Sequence, residues 1–281
     1  MPRYAQLVLG PAGSGKSSYV SAMIHHGEAI KRQIHAVNLD PAAEQFDYDL
    51  IADIRQLVYI EDVMEDDELK FGPNGGLVFA MEYLNENADW LEEKLGDEED
   101  DYVLFDCPGQ IELSTHLDIM KTLINNLQSW DFRVCVVFCL DCQFISEVSK
   151  FFSGVLVGLS TMINLELPQI NLLTKTDLLD RKEKKQLKEF LEPDTMLIDQ
   201  DTRANTVWNE KYHKLTKAIG SLIDDYALVK FFPINIYDEE SLNDVLLNID
   251  NTIQYGEDQD VKDRDIDMPE VAGGNGINKN E

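Results

Sequence analysis

The stretch Gly10–Ser17 reads Gly-Pro-Ala-Gly-Ser-Gly-Lys-Ser and decides the fold. It follows the apolar segment Tyr4–Leu9 and precedes a helical pattern, which is the strand–loop–helix context that the pattern G-x-x-x-x-G-K-[ST] requires. Glycines in such a loop let backbone N–H groups and the following helix N-terminus approach a phosphate closely. We therefore expect Lys16 to reach the β- and γ-phosphates of a nucleotide and the hydroxyl of Ser17 to bind Mg²⁺.

Short apolar runs alternate with helical patterns along the rest of the chain. The predicted strands are Tyr4–Gly10, Ile34–Leu39, Tyr102–Phe105, Arg133–Leu140, Gln169–Leu173 and Val229–Ile234. The predicted helices lie near Lys16–His26, Leu77–Leu95, Leu113–Leu127, Ile145–Ile163, Arg181–Leu191, Ala204–Tyr226 and Ser241–Tyr255. This alternation predicts an α/β fold of the P-loop NTPase type, a doubly wound and mostly parallel sheet with helices on both faces.

A second motif follows the third predicted strand. The sequence Asp-Cys-Pro-Gly-Gln begins at Asp106 and resembles the D-x-x-G element of GTPases with its following glutamine. An acid at the carboxyl end of a strand lies where ligands collect in a doubly wound sheet, so Asp106 is a candidate Mg²⁺ ligand. We expect Gly109 to offer its N–H to the γ-phosphate and Gln110 to orient the attacking water. If Gln110 is not used, Asp40 and Glu112 are the next candidates.

A third motif, Thr-Lys-Thr-Asp at Thr174–Asp177, ends the fifth predicted strand and resembles the guanine-reading [NT]-K-x-D box. A carboxylate at Asp177 can accept hydrogen bonds from guanine N1–H and N2–H₂, and adenine offers no such pair of donors. An unpaired buried acid is costly, so one aspartate can discriminate between the bases. Thr174 replaces the commoner asparagine, and the aliphatic stem of Lys175 can lie along the base. A faint guanine-backing signal is expected near residues 233–235.

Two further segments carry candidate residues. Asp40 and Glu44 follow the second predicted strand, where they either face the γ-phosphate and metal or form a capped turn. Gly72-Pro73-Asn74 precedes a long helical pattern and, in isolation, is typical of a turn. Two acidic runs, Glu61–Glu68 and Asp97–Asp101, are predicted to be solvated loops.

The composition limits the classes of partner. The chain has 281 residues and carries 24 Lys and Arg against 53 Asp and Glu, a formal net charge of −29. Such a charge disfavours direct binding to nucleic acid or to anionic membranes, and we find no membrane-spanning segment or signal peptide. Three of the four cysteines cluster within or beside one apolar run, which indicates a reducing compartment and buried thiols, with a zinc site as a minor alternative. Residues 257–281 hold eight acids and three bases and are predicted to be a disordered tail on a domain of residues 1–256.

Taken together, these motifs resemble the GPN-loop GTPases, whose Gly-Pro-Asn insertion is matched by Gly72-Pro73-Asn74. The similarity runs from about Pro2 to Gly256 and is greatest to the third of three eukaryotic paralogues. The resemblance implies a homodimeric or heterodimeric enzyme that uses GTP/GDP and Mg²⁺, with Asn74 reaching the nucleotide of the partner subunit. It also implies assembly and nuclear import of RNA polymerase II, with subunits or assembly factors of that polymerase as partners, and a cytoplasmic protein that shuttles to the nucleus.

The sequence thus gives a defined set of candidate residues. The nucleotide-binding candidates are Gly13, Ser14, Gly15, Lys16, Ser17, Ser18, Gly72, Pro73, Asn74, Gly109, Thr174, Lys175 and Asp177. The catalytic candidates are Gln110, Asp106, Asp40, Asn74 and Glu112, and the metal candidates are Ser17, Asp40 and Asp106. Two alternatives stay open: an assembly scaffold that binds GTP with negligible hydrolysis, and a P-loop small-molecule kinase. The kinase is disfavoured because none of the seven arginines lies in a recognisable lid loop.

Overall fold

A computed structural model describes residues 2–65, 71–96, 102–146, 148–180 and 229–257, together with Lys184, Leu187 and Leu191. The acidic run 97–101 and the predicted helix 204–226 lie outside the described residues, as do nearly all of the predicted helix 181–191 and of the predicted tail. Among the described residues no helix is both long and apolar enough to cross a bilayer.

Seven parallel strands form one sheet in the order β3-β2-β4-β1-β5-β6-β7. Their bounds are β1 Arg3–Leu9, β2 His35–Asn38, β3 Leu50–Asp53, β4 Tyr102–Asp106, β5 Phe132–Asp141, β6 Gln169–Thr174 and β7 Phe231–Pro233. Strands β1, β4 and β5 are almost entirely buried because helices cover both faces of the sheet. The doubly wound parallel sheet predicted from the sequence is therefore confirmed.

Helices lie on both faces of the sheet. Within the described ranges they are α1 Lys16–Ala29, α2 Ile60–Glu65, α3 Pro73–Glu86, α4 Ala88–Leu95, α5 Glu112–Thr115, α6 Ile119–Ser129, α7 Val148–Leu165 and α8 Glu239–Ile253. Helices α1 and α8 pack on one face around Tyr19, Met23 and Ile249. Helices α3, α4, α6 and α7 pack on the other face, so the core has two apolar layers.

Several predicted boundaries were wrong. Strand β3 was not predicted. Residues 61–65 of the acidic run Glu61–Glu68 belong to α2 instead of a loop, and the rest of that run lies outside the described residues. The single helix predicted over Leu77–Leu95 is broken at Asn87, whose ψ of 41° leaves the helical region. The helix predicted over Leu113–Leu127 is likewise divided into α5 and α6.

The strand register places the predicted motifs at one edge of the sheet. Asp106 is paired with Val8 on one side and with Asn38 on the other, and Thr174 is paired with Asp141. Because all strands are parallel, their carboxyl ends converge beside the N-terminus of α1. The fold therefore brings together residues that are up to about 160 positions apart in the chain.

Candidate functional site

The phosphate-binding loop joins β1 to α1 and is tightly folded. Gly15 precedes α1 with φ of 85° and ψ of 26°, a left-handed conformation that L side chains rarely adopt. The first helical residue, Lys16, is 7% exposed, and its Nζ donates to the carbonyl oxygens of Gly10 at 3.2 Å and Pro11 at 3.3 Å. The ammonium group thus lies inside the loop at the N-terminus of a 14-residue helix. Its charge and the partial positive charge of the helix N-terminus both favour binding of an anion.

Asp106 ends β4 beside this loop and is 2% exposed. Its Oδ2 accepts a 3.4 Å hydrogen bond from the hydroxyl of Tyr48, and its buried Oδ1 has no partner among the described residues. Burial raises the pKa of Asp106, and the negative charge of Asp40 raises it further. The hydroxyl of Ser17 and the charge of Lys16 act in the opposite direction. The Asp40 carboxylate, the Ser17 hydroxyl and the Lys16 ammonium therefore all lie near the Asp106 carboxyl.

The donor set around Asp106 fits a magnesium ion. A hard cation prefers oxygen ligands, and Mg²⁺ is commonly held by one or two carboxylates together with phosphate and water. Asp106 and Asp40 supply carboxylates and Ser17 a hydroxyl, and the unpartnered Oδ1 of Asp106 leaves a buried oxygen lone pair for a cation. The described residues contain no cluster of three or more His, Cys, Asp or Glu side chains that could hold a metal.

Asp40 lies in the segment after β2 and takes part in a local turn. Its Oδ1 accepts a 3.0 Å hydrogen bond from the N–H of Ala42, and its own N–H donates to Oδ1 of Asn38 at 2.9 Å. The capped-turn alternative is thus present together with proximity to Asp106. Glu44, the second acid of this segment, is exposed.

The segment that follows Asp106 contacts the phosphate-binding loop. A Cβ placed on Gly109 would lie 2.7 Å from Cα of Ala12, so only a glycine fits against the loop at this point. Gln110 is half-buried, and Glu112 is exposed at the first position of α5. The structure therefore brings Gly109 to the site directly and places Gln110 next to it, while the catalytic roles of Gln110 and Glu112 stay predictions.

The third motif is tied to the phosphate-binding loop by hydrogen bonds. Thr174 is buried, and its Oγ1 lies 2.6 Å from the carbonyl oxygen of Ser14 and 3.1 Å from that of Leu140. Lys175 has a φ of 59°, and its Nζ donates to the carbonyl oxygen of Gly13 at 2.6 Å and pairs with Asp141 at 2.6 Å. In this sequence the threonine hydroxyl therefore links the motif to the loop and the central sheet.

Asp177 lies in a short 3₁₀ turn, Thr176–Leu178, directly after β6. Its side chain is partly exposed at the edge where the phosphate-binding loop lies. The neighbouring Thr176 hydroxyl donates a 2.8 Å hydrogen bond to the carbonyl oxygen of Ile234, which follows β7. The loop after β7, where a faint guanine-backing signal was expected, therefore adjoins the third motif.

Gly72, Pro73 and Asn74 are exposed and begin a helix. Gly72 is the residue before α3 and Pro73 occupies its first position, where the missing proline N–H costs nothing. The interpretation of this segment as a turn was therefore wrong. Among the described residues no hydrogen bond joins Asn74 to the phosphate-binding loop.

Sequence reasoning missed one feature of the site, a cavity of about 630 Å³ that extends from Ser17 along α1. Its walls include Tyr48 and Tyr237, and Asp47 is fixed to α1 by a 2.9 Å hydrogen bond from Ser21. Burial and the charge of Asp106 raise the pKa of Tyr48, so its hydroxyl stays protonated and donates to that carboxylate. No local pattern predicts this contact because the two residues are 58 positions apart.

All four cysteines are buried free thiols, as predicted. Cys142 Sγ donates to the carbonyl oxygen of Lys175 at 3.0 Å, so this thiol supports the third motif. The described residues give no metal site at the Cys139–Cys142 pair.

Comparison with known proteins adds relatives to this geometry. A protein-family model described as "Conserved hypothetical ATP binding protein" matches residues 8–255. The chain is 58% identical over 263 residues to GPN-loop GTPase 3 of Danio rerio, covering 94% of this chain and 92% of that protein. It is 51% identical over 264 residues to GPN-loop GTPase 3 of Dictyostelium discoideum, covering 94% and 91%. The crystal structure of a GTPase in apo form from Pyrococcus abyssi matches with a TM-score of 0.73 at 22% identity, covering 89% of this chain and 97% of that chain, and shows the same fold.

Proposed function

The chain belongs to the GPN-loop GTPases, and from this premise we propose that it binds GTP with Mg²⁺ and hydrolyses it to GDP and phosphate. The observation that carries the proposal is the convergence of three motifs at one sheet edge. Gly109 packs on Ala12 of the phosphate-binding loop, and Thr174 is hydrogen-bonded to Ser14 of the same loop. Each motif alone is also compatible with a simple turn or loop, but phosphate-binding, metal-binding and base-reading groups in contact form a nucleotide site.

The residues of the loop bind and orient the phosphates. Lys16 and the backbone N–H groups at the start of α1 are placed for the β- and γ-phosphates, where they stabilise negative charge on the leaving oxygens. Ser17, Asp106 and Asp40 would hold Mg²⁺, which supplies charge neutralisation between the phosphates. Burial raises the pKa of Asp106. A bound cation acts in the opposite direction, so we expect the carboxylate to be ionised when Mg²⁺ is bound.

Water activation falls to the half-buried Gln110, which follows Gly109 directly. An amide side chain can accept a hydrogen bond from water and orient it for in-line attack without removing a proton completely. Asp40 and Glu112 are the acidic alternatives, and of these Asp40 lies nearer to Asp106 and Glu112 is exposed on α5.

Asp177 would select the base. Its carboxylate can accept from guanine N1–H and N2–H₂, whereas adenine would leave it without these donors. The matching family model is described by ATP binding, and the similar proteins are named GTPases. The preference for GTP over ATP is therefore the property to measure first.

The test is single-turnover hydrolysis of GTP and of ATP by the full-length protein, with Mg²⁺ and with EDTA. The proposal expects release of phosphate from GTP in Mg²⁺ and little release from ATP. Equal turnover and affinity for ATP would contradict the guanine assignment. Tight GTP binding without turnover, in the presence of candidate partner proteins as well, would favour the scaffold alternative.

We also propose that the active form is a dimer, either with a second copy or with another GPN-loop GTPase. The support is the position of Asn74, which is exposed at the start of α3 and has no hydrogen bond to its own phosphate-binding loop among the described residues. Exposed apolar side chains of Tyr59, Met64 and Phe71 lie on the elements around it. A partner subunit would cover this surface and receive Asn74 at its nucleotide.

The proposed cellular role is assembly and nuclear import of RNA polymerase II, by a cytoplasmic protein that shuttles to the nucleus. It is supported by family membership and by the net charge of −29, which suits basic protein partners and disfavours direct nucleic-acid binding. Depletion should leave the largest polymerase subunit in the cytoplasm, and re-expression of wild type should restore it to the nucleus. An unchanged distribution of the polymerase would contradict this role.

A further inference from the structure

Arg55 makes the most extensive set of contacts beside the site, and none of the predicted motifs uses it. It lies just after β3, in the 3₁₀ turn Ile54–Gln56. Its Nε donates to both carboxylate oxygens of Asp53 at 3.0 Å, and its Nη2 donates to Oδ2 at 2.6 Å. Its remaining terminal nitrogen, Nη1, donates to the carbonyl oxygens of Ala43 at 2.9 Å and Glu44 at 3.0 Å. One planar guanidinium therefore joins the end of β3 to the segment that contains Asp40.

The other end of that segment is fixed by Asn38. Its Nδ2 donates to Oδ1 of Asp53 at 2.8 Å and to the carbonyl oxygen of Asp40 at 3.0 Å. Its Oδ1 accepts from the N–H of Asp40 at 2.9 Å. Asn38 is completely buried and Asp53 is 8% exposed, so the bond between them lies out of water, where a hydrogen bond is electrostatically stronger.

The ionisation of Asp53 is consistent with its hydrogen bonds to Arg55 and Asn38. Burial by itself would raise the pKa of Asp53, but hydrogen bonds from Arg55 and Asn38 hold it below the usual range. The carboxylate is therefore ionised, and both of its oxygens accept hydrogen bonds from donor groups of two residues, Arg55 and Asn38. It is not available as a metal ligand in this arrangement.

We propose that Asn38, Asp53 and Arg55 form a clamp that positions the carboxylate of Asp40 for the magnesium site. Asn38 holds the backbone of Asp40 from one side, and Arg55 holds the carbonyls three and four residues later. The turn between them, closed by the bond from Ala42 N–H to Asp40 Oδ1, orients the side chain. Arg55 is thus a positioning residue that acts through Asp40 and does not touch the nucleotide. This inference rests on the proposed function, because the clamp affects catalysis only if Asp40 serves a bound cation.

The chain offers a matched control at a second buried ion pair. Arg32 precedes β2 and pairs with Asp250 through two bonds of 2.6 and 3.0 Å. Its side chain is 13% exposed, so its loss should cost at least as much stability as the loss of Arg55, which is 30% exposed. Arg32 makes no contact with the Asp40 segment in the described part of the chain, so only a general loss of stability is shared by the two variants.

The first experiment compares the Mg²⁺ dependence of GTP hydrolysis in wild type, Arg55→Gln and Arg32→Gln. Loss of an outer residue that orients a metal ligand typically changes metal affinity or activity by roughly 10- to 100-fold. We expect the Mg²⁺ concentration for half-maximal turnover to rise by about tenfold in Arg55→Gln. The kcat should be lowered, and the KM for GTP at saturating Mg²⁺ should change by less than about twofold. Arg55→Lys keeps the positive charge but not the planar, forked guanidinium, so its Mg²⁺ requirement should lie between those of wild type and Arg55→Gln. Arg32→Gln should match wild type.

The second experiment asks whether Arg55 acts through Asp40. In the Asp40→Ala background, Arg55→Gln should cause no further change in Mg²⁺ dependence, whereas independent effects would multiply. In nucleotide-free protein, hydrogen exchange at the amides of Ala42 and Ala43 should be about tenfold faster in Arg55→Gln than in wild type and unchanged in Arg32→Gln.

The outcomes separate the clamp from the proposed function. If the wild type turns over GTP with Mg²⁺ but Arg55→Gln has the wild-type Mg²⁺ dependence, the clamp is contradicted and the function stands. The clamp is also contradicted if Arg55→Gln and Asp40→Ala act independently, or if the amide exchange does not change. If the wild type shows no Mg²⁺-dependent turnover, the proposed function itself fails, and the clamp has no cation site to serve.

Discussion

The carboxyl edge of the sheet and the Gly72–Asn74 segment differ in how the chain supports them. At the sheet edge, Lys16 and Thr174 are buried and hydrogen-bonded, and Gly109 touches the phosphate-binding loop. In the Gly72–Asn74 segment all three residues are exposed, and a Cβ on Gly72 would meet nothing within 4 Å. The first region is organised by the packing of its own chain. The second is exposed, and in the described part of the chain the start of α3 accounts for Pro73 but not for Asn74.

This difference indicates which part of the site one subunit can provide alone. A nucleotide site needs its groups fixed relative to one another, and the chain itself ties the Thr174–Asp177 motif to the phosphate-binding loop. An exposed proline and asparagine at the start of a helix gain a role when another surface covers them. We therefore expect substitutions at the sheet edge to weaken binding in any assembly, and substitutions at Gly72–Asn74 to affect only the steps that need a partner.

Lys16→Ala should have the largest effect. Two charge-assisted hydrogen bonds to phosphate, at about 2 kcal/mol each, correspond to roughly a 1,000-fold loss of GTP affinity. Fluorescent GTP titration measures this loss, with Lys94→Ala on the exposed surface of α4 as the control. An affinity within about tenfold of wild type, less than one such hydrogen bond is worth, would show that the loop is not the phosphate site.

Asp177→Asn should weaken GTP and GDP binding by roughly 100-fold, because guanine loses a carboxylate acceptor for two donors. Binding of xanthosine nucleotides should improve, since the xanthine base presents an acceptor where guanine has a donor. Competition between the two nucleotides on the same variant gives the result directly. Unchanged preference for guanine would remove Asp177 from base recognition.

A pair of glycine substitutions compares the two regions by the same chemical change. Gly109→Ala places a methyl group 2.7 Å from Cα of Ala12 and should lower GTP affinity by about tenfold or more as the loop shifts. Gly72→Ala enters open space and should leave monomer stability within about 0.5 kcal/mol of wild type and GTP affinity unchanged. Equal effects of the two substitutions would contradict the contrast drawn between the regions.

Asp106→Asn should stabilise the nucleotide-free protein slightly, in contrast to the substitutions above that weaken nucleotide binding. Because burial raises the pKa of Asp106, the native protein binds that proton more tightly than the unfolded chain does. Its ionisation therefore costs stability as pH rises above the usual aspartate pKa of about 3.9. Nucleotide-free Asp106→Asn should be about 1 kcal/mol more stable than wild type at neutral pH and no more stable near pH 3. Thermal unfolding over this pH range measures the difference, and a less stable variant at neutral pH would contradict it.

The sequence was sufficient for residues whose role is encoded in a local pattern. The loop Gly10–Ser17, Asp106 after its strand, and Thr174–Asp177 after theirs were all predicted at strand ends, and the parallel register brings them together. Strand β3 was missed because its short apolar run, residues 50–52, lies between Asp49 and Asp53 and gives no clear strand signal, although the strand holds Asp53 beside the site. The proline of the Gly-Pro-Asn segment suggested a turn, but it occupies the first position of α3, where proline is equally compatible.

Contacts between distant residues were beyond local patterns. The hydroxyl of Tyr48 reaches Asp106 across 58 positions, and the guanidinium of Arg55 reaches Ala43 across 12. Neither residue belongs to a recognised motif. Their contacts with the site form only because β2, β3 and β4 are adjacent in the sheet. The candidate nucleotide-binding residues are thus predicted from sequence more completely than the residues that position them.

The most direct test of the contrast is a mixed dimer of two differently tagged variants, Lys16→Ala and Asn74→Ala. Each homodimer should be inactive in GTP hydrolysis, the first because it does not bind the triphosphate and the second because it lacks the partner-supplied amide. In the purified mixed dimer, the intact nucleotide site of the Asn74→Ala subunit receives Asn74 from its Lys16→Ala partner. The account predicts that hydrolysis returns to about half of the wild-type rate per dimer, one working site of two. A mixed dimer as inactive as its parents, or an Asn74→Ala homodimer with normal turnover, would contradict it.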